Sequence, residues 1–403
     1  MGTGHHKGLT MRTIKVEEVD QFSDIIKYVF QVSKKTIDED VDLIAKKSHQ
    51  LKPGTALGWF DKDKLISQIV TLPFEVNIHG VIYKMGGVTG VGTYPEYAGQ
   101  GLIHMLMKES LKRMREKGQY ISYLYPYSIP YYRKNGWEII SDLIEYKIKD
   151  TQLPKYREIN GRVRRVDMNH HDVKKVYDAF ARKTNGAMVR NDLAWEAKLL
   201  EGPSDIQSAV YYTEDDKPEG YLNYRVLEEK FYVDEMIYLN EEARRGLWNF
   251  INAHFSMVYF VEGKTCVHEP VAFLLEDGEI EQKIFPYFMG RIVEVKGFLE
   301  RFPFKEVKNS KIILKLNDPI LEWNRGTFIL EWDEKGKLQI DCDKNIRSSE
   351  GITLSIQTLA TMLLSYQRPS FLMSISRISG DKQMVDMLEK IIPNNAPCFF
   401  DYF

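Results

Sequence analysis

Residues 86–137, GGVTGVGTYPEYAGQGLIHMLMKESLKRMREKGQYISYLYPYSIPYYRKNGW, leave few choices of fold. They read as strand, glycine loop, helix, strand and tight turn. The strand over 88–93 is β-branched at alternate places but carries Gly90 and Gly92, so something packs closely on its backbone, and a ligand backbone is the natural guest. Beyond Pro95, Gly99 and Gly101 bracket Gln100 where the loop becomes a helix. Unpaired N–H groups at that start point outward and form a cradle for an anion. Leu102/Ile103, Leu106/Met107, Ser110/Leu111 and Met114 recur at helical spacing. Gly118 stops the helix, and residues 120–125 alternate as a short strand closed by Pro126 and Pro130.

Glycines at a helix start mark a turn more often than a phosphate site. A P-loop would add Lys-Ser or Lys-Thr, and a dinucleotide fold would set GxGxxG directly between strand and helix; this stretch has neither. The order of parts says more. TGVGTYPEYAGQGLI, a helix, a strand and then PYYRKNGW resembles the acetyl-CoA motif of the GNAT superfamily of N-acetyltransferases. The pyrophosphate loop of that superfamily follows Q/R-x-x-G-x-G/A. Residues 98–103 match it in part: Gly101 fills the required glycine, Ala98 replaces Gln or Arg, and Ile103 replaces the small residue. The resemblance implies that Val91, Gly92 and Thr93 hold the pantetheine arm through main-chain groups. Ala98, Gly99, Gln100, Gly101, Leu102 and Ile103 would hold the pyrophosphate.

A chain of 403 residues suits two or three domains, and a formal charge of −2 removes the main argument for nucleic-acid binding. No apolar run reaches the ~18 residues of a membrane span, and the N-terminus lacks a signal peptide's apolar core. No membrane partner and a cytoplasmic location are expected. Cys266, Cys342 and Cys398 lie far apart without CxxC, so reduced structural thiols are expected. His5 and His6 belong to a Gly-rich leader, 1–11, read as a disordered tail with no metal.

A strand over 12–16 opens the chain, followed by a helix within 20–32. Asp38, Glu39, Asp40 and Asp42 then either complement a helix dipole or form an acidic lip for a cationic substrate. Strands over 56–60, 65–74 and 81–85, turning at 61–64 and at His79-Gly80, make a β-meander that feeds the central strand. After Trp137 a strand over 139–148 leads to a boundary at 150–154. The middle segment repeats the opening order: strand 162–166, helix 172–182, strands 207–213, 220–227 and 231–239, helix 241–258. Its helix starts at Leu239-Asn240-Glu241-Glu242, which would face phosphates with negative charge, so this copy is not expected to bind the cofactor. Strands 311–316, 326–332 and 337–341 and helices 355–364 and 383–392 follow. The chain stops at PCFFDYF, where Phe399, Phe400, Tyr402 and Phe403 need burial.

Taken together, these parts resemble the Eis (enhanced intracellular survival) family of GNAT N-acetyltransferases from about residue 12 to residue 403. The resemblance implies an α+β chain: an acetyl-CoA-binding GNAT domain (12–150), a degenerate GNAT-like domain (151–290) and a sterol-carrier-protein-like domain (291–403), assembled as a hexameric homo-oligomer. It implies direct acetyl transfer, in a ternary complex and without a metal, to amines of a small polycation of aminoglycoside or polyamine type, or to lysine. Tyr132, the tyrosine of YRKNGW, is then the acid. A phenol of ordinary pKa near 10 is neutral at pH 7 and can donate to a thiolate whose thiol has a pKa of about 8.5. Spacing alone does not choose among Tyr123, Tyr125, Tyr127, Tyr131 and Tyr132. The resemblance makes the α-carboxylate of Phe403 the base, burial among aromatics lifting it from its ordinary value of about 3.5. Asp401 is a second candidate for the base or for substrate contact, and Trp59 or Phe30 could line the cavity. The competing class is a lipid or small-molecule carrier with an inactive acetyltransferase scaffold.

Overall fold

The computed structural model describes residues 8–31, 50–201, 205–267, 269–343 and 350–403; the acidic group at Asp38–Asp42 and the leader's histidines lie outside them. β1 (Leu9–Thr13) is followed by α1 (Val19–Val29), which buries Phe22, Ile25 and Ile26. β2 (Leu57–Asp61), β3 (Lys64–Ile78) and β4 (Val81–Thr93) are successive antiparallel neighbours. The β3–β4 turn lies at His79 and Gly80, with φ of 50° and 94°. Two positive φ values give the turn whose twist suits a hairpin. α2 (Leu102–Glu116) returns the chain to β5 (Ile121–Leu124), parallel to β4.

The expected tight turn after Pro126 contains a short helix, α3 (Ile129–Lys134), with Pro130 in its first turn, where a missing N–H breaks no helical bond. β6 (Glu138–Ile139) follows. The strand expected over 139–148 is in fact divided between two sheets. β6 ends the first, while β7 (Asp142–Lys149) joins the second, because Ile140 and Ser141 turn inward to bond Phe288 and Tyr287.

β8 (Arg162–Val166) and α4 (His171–Ala181) open the middle segment, and β9 (Met188–Val189) crosses back to pair with β3. α5 (Asp192–Glu201), β10 (Gln207–Tyr212), β11 (Pro218–Leu227), β12 (Lys230–Tyr238), α6 (Glu241–Asn252), β13 (Phe260–Cys266), α7 (Val271–Leu274) and β14 (Glu281–Pro286) complete it. The second sheet runs β14-β7-β13-β12-β11-β10-β8. β15 (Met289–Ile292) then returns to the first sheet, between β5 and β6. The first sheet is therefore finished by strands of the middle segment, and the two cannot part without exposing its core.

α8 (Val295–Arg301), β16 (Ser310–Asn317), β17 (Gly326–Trp332), β18 (Leu338–Asp343), β19 (Ile352–Ser355), α9 (Ile356–Leu363), α10 (Pro369–Ser374), β20 (Ile378–Gly380) and α11 (Lys382–Ile391) form the third unit. Its sheet runs β18-β17-β16-β19-β20. Arg291 of β15 ties the units together. Fully buried, it donates to both carboxylate oxygens of Asp318 at 2.7 and 2.6 Å and to the Asn135 carbonyl at 2.5 Å. A Cβ at Gly136 would lie 1.3 Å from its Nη1, which explains the glycine of YRKNGW by space as well as by its φ of 92°.

Cys266 and Cys398, expected as reduced thiols, form a disulfide across 132 residues. Such a pairing leaves no spacing signal, because only the fold brings the two together. No helix among the described residues is long and apolar enough to cross a membrane.

Candidate active site

β4 and β5 are paired in parallel from Met85↔Ile121 to Val88↔Leu124. β5 then stops while β4 runs on to Thr93, so among the described residues the β4 edge over 89–93 pairs with no further strand and borders a gap. The bend comes from a bulge. Thr89 pairs with Val70 and Gly92 with Gln68, which leaves β4 one residue longer than β3 across this interval, and Gly90 takes φ +58°. Bulges re-aim a strand, and glycine takes that φ without cost. The glycines' close guest is the chain itself rather than a ligand: a Cβ at Gly92 would lie 2.7 Å from Ile25 of α1.

Ala98, Gly99, Gln100 and Gly101 are exposed ahead of α2. Gly99 and Gly101 have φ of 76° and 77°, and an added Cβ at either would meet open space. They are needed for backbone direction, and the space beside them is clear. Gly101 caps α2 without a side-chain acceptor, and no acidic residue lies in the first turn. Free N–H groups and the helix dipole therefore favour an anion there, and the residues fit a pyrophosphate. Trp59 supports the loop from beneath, its indole N–H donating to the Leu102 carbonyl at 3.2 Å; it is buried and outside the cavity. At the corresponding start of α6, Glu241 binds Arg244 and Arg245, while Glu242 accepts from the Asn160 N–H.

The gap opens into a cavity of about 540 Å³ lined by the 88–93 edge of β4, Ile103, Phe30, Tyr132, Tyr402 and Phe403. Of the crowded tyrosines, Tyr125, Tyr127, Tyr131 and Tyr132 line it; Tyr123 is fully buried against Phe399. Tyr132 is the most buried of the four. Its ring sits edge-on to Tyr131 and Trp137, and burial pushes its phenol well above 10. It stays protonated and able to donate.

The tail beyond α11 has no regular structure, yet it is held along its length. The Cys398 N–H donates to the Asn185 carbonyl at 2.8 Å. The ring of Phe403 packs on Phe74 and Phe288, and the residue is 5% exposed. Asp401 does not face the cavity: Oδ1 accepts from Arg190 Nε at 2.6 Å and Oδ2 from the Tyr177 hydroxyl at 2.8 Å. Its carboxylate is thus an anchor rather than a substrate contact. Arg190 also grips Glu235 through both terminal nitrogens, at 2.5 and 3.2 Å, and lies 3.5 Å over the Tyr177 ring. Burial opposes the charge on Glu235, but Arg190 and Lys198 beside it hold its carboxyl well below the ordinary range. The sequence offered no sign of Arg190, Tyr177 or Glu235, which meet only through the tertiary fold.

Residues 10–140 match the model of an acetyltransferase (GNAT) domain, residues 186–292 a second acetyltransferase (GNAT) domain, and residues 295–400 a sterol carrier protein domain. An uncharacterized N-acetyltransferase of Streptomyces griseus is 21% identical over 349 residues, 79% of this chain and 82% of that protein. A probable N-acyltransferase of Enterococcus faecalis V583 superposes with a TM-score of 0.89 at 29% identity, over 98% of this chain and 99% of that one. Eis1 from Mycobacterium abscessus shares the fold, with a TM-score of 0.80 at 17% identity over 98% and 100% of the two chains.

Proposed function

Since the chain carries two acetyltransferase (GNAT) domains ahead of a sterol carrier protein domain and is an N-acetyltransferase, we propose that it acts as an Eis-like enzyme, transferring the acetyl group of acetyl-CoA directly to a primary amine of a small cationic molecule, of polyamine or aminoglycoside type. The observation that carries this reading is one cavity lined at once by the 88–93 edge of β4, by Tyr132 and by Phe403.

Acetyl-CoA supplies the acetyl group as a thioester: the amine nitrogen bonds the acyl carbon, the C–S bond breaks, and coenzyme A leaves as a thiol. The Val91, Gly92 and Thr93 backbone holds the pantetheine arm, and residues 98–103 hold the pyrophosphate at the start of α2. The α-carboxylate of Phe403 takes the proton that an ammonium must lose before its nitrogen can attack. Tyr132, kept neutral by burial, donates to the sulfur as negative charge develops there. Asp401, Arg190 and Tyr177 hold the tail so that the carboxylate meets the amine. The aromatic lining, with Tyr125, Tyr131 and Tyr402, suits an ammonium held against ring faces.

The test is free thiol released from acetyl-CoA with and without a panel of aminoglycosides and polyamines. Release that depends on an amine supports the reading. Unchanged acetyl-CoA across the panel, with lipid bound instead, favours a carrier.

A further inference from the structure

The second sheet repeats the parting of the first. β12 and β13 are paired in parallel from Lys230↔Phe260 to Val233↔Gly263 and then diverge, as β4 and β5 do after the same number of pairs. In the first sheet the gap is the candidate active site. In the second it is a cavity of about 230 Å³ closed by the chain's own tail, with Met236, Tyr238 and Cys266 on its walls and Cys398 and Phe400 entering it. The tail thus runs from one gap to the other: Cys398 is bonded to β13, Asp401 to Arg190, and Phe403 lies in the first cavity.

We propose that the parted strands of the second domain are the mount for the C-terminal tail, and that the Cys266–Cys398 disulfide is a reducible latch on that mount. The latch lies on the terminus's only covalent tie to the second sheet other than the main chain, among the described residues. Cys398 stands five residues before Phe403, too few to absorb a shift without moving the terminus. Both cysteines are buried but line the 230 Å³ cavity, so the bond borders open space that a thiolate reaches when the tail lifts from it.

Reduction is a two-electron exchange with a dithiol. One thiolate of the dithiol attacks a cysteine sulfur and forms a mixed disulfide; the second closes it into a cyclic disulfide. The two electrons and two protons remain on Cys266 and Cys398 as thiols. Glutathione disulfide reverses the exchange and leaves as glutathione. The predicted effect on turnover rests on the role proposed above for the Phe403 carboxylate; the effect on the tail does not.

Three full-length proteins are compared: wild type, the double variant Cys266→Ser/Cys398→Ser, and Cys342→Ser as control. Peptide mapping after incubation with glutathione disulfide reports the bond, carboxypeptidase A release of Phe403 reports the mount, and amine-dependent thiol release, run after removal of the reductant, reports turnover. Dithiothreitol is expected to speed Phe403 release from wild type about tenfold, with the double variant fast from the start. Turnover should fall by a similar factor and return in wild type on reoxidation. Cys342→Ser should behave as wild type. Faster Phe403 release with unchanged turnover supports the latch and removes the terminal carboxylate as base. Equal release from oxidised and reduced wild type, or no linked 266–398 peptide after oxidation, overturns the latch whatever the double variant does.

Discussion

Gly86 and Gly87 are neighbours on β4 that face opposite sides of the sheet, and they separate packing from chemistry. A Cβ at Gly87 would lie 2.8 Å from the Phe403 ring and 2.8 Å from that of Phe74. Ordinary contact begins at 3.4 Å, so for Gly87→Ala the rings must retreat by about 0.6 Å. Phe74 is fixed within β3 and Phe403 lies in a segment without regular structure, so the tail takes up most of the shift. A displacement approaching 1 Å at a reacting group costs up to roughly 100-fold in rate, and overpacking costs about 1–3 kcal/mol of stability. Gly86→Ala instead meets the thioether of Met114, at 2.6 Å from sulfur, which bends aside more easily. The two variants should therefore unfold at similar, slightly lowered temperatures. Gly87→Ala should lose roughly 10- to 100-fold in kcat with its KM for acetyl-CoA little changed, while Gly86→Ala stays within about twofold of wild type. Steady-state kinetics beside thermal unfolding provide the comparison. Equal kcat in two variants of equal stability would refute the claim that the position of Phe403 governs turnover.

Tyr132→Phe should lower kcat about 100-fold with acetyl-CoA affinity unchanged, and a parallel loss of affinity by calorimetry would count against its role as acid. Because burial raises its phenol, the acid form persists through pH 10, so kcat should show no alkaline loss up to that pH; an inflection near 9 that vanishes in Tyr132→Phe contradicts this. Gly101→Trp adds an αL strain of about 1–2 kcal/mol and puts an indole at the proposed phosphate site, so the KM for acetyl-CoA should rise; an unchanged KM points to another phosphate site. Arg190→Met leaves two buried carboxylates without their shared cation, which should cost about 3–5 kcal/mol in denaturant unfolding, whereas a change under about 1 kcal/mol contradicts the anchoring role. Glu235 has a folded pKa below its ordinary 4.5, so it contributes stability that is whole above about pH 4.5 and is lost as pH falls further. Glu235→Gln should flatten that acid loss in thermal unfolding, and coincident curves for the two proteins would exclude Glu235 as its source.

The parts legible in the sequence were those encoded locally. The helical spacing from Leu102 to Met114, the His79-Gly80 turn and the glycines before α2 specify structure within a few residues, and the described elements follow them closely. Gly90 and Gly92 were legible as close contacts, but the identity of the contact, α1, depends on packing that spacing does not carry. The strand expected over 139–148 divides at Ser141 because a strand-like pattern of apolar and polar residues says nothing of which sheet each half joins. Arg190, Tyr177, Glu235 and Asp401, spread over more than 200 residues, meet through the crossing of the tail, as do Cys266 and Cys398. α8 and α10 are too short to establish a period.

The α-carboxylate of Phe403, proposed above as the base, can be moved without touching any side chain. Adding Gly-Ser after Phe403 carries the α-carboxylate away while leaving the first gap, the glycine loop and Tyr132 in place. Amine-dependent thiol release and acetyl-CoA affinity are measured side by side on the intact and extended proteins. The account predicts that release collapses while acetyl-CoA still binds. Equal turnover from the two proteins contradicts it, and another group must then take the amine's proton.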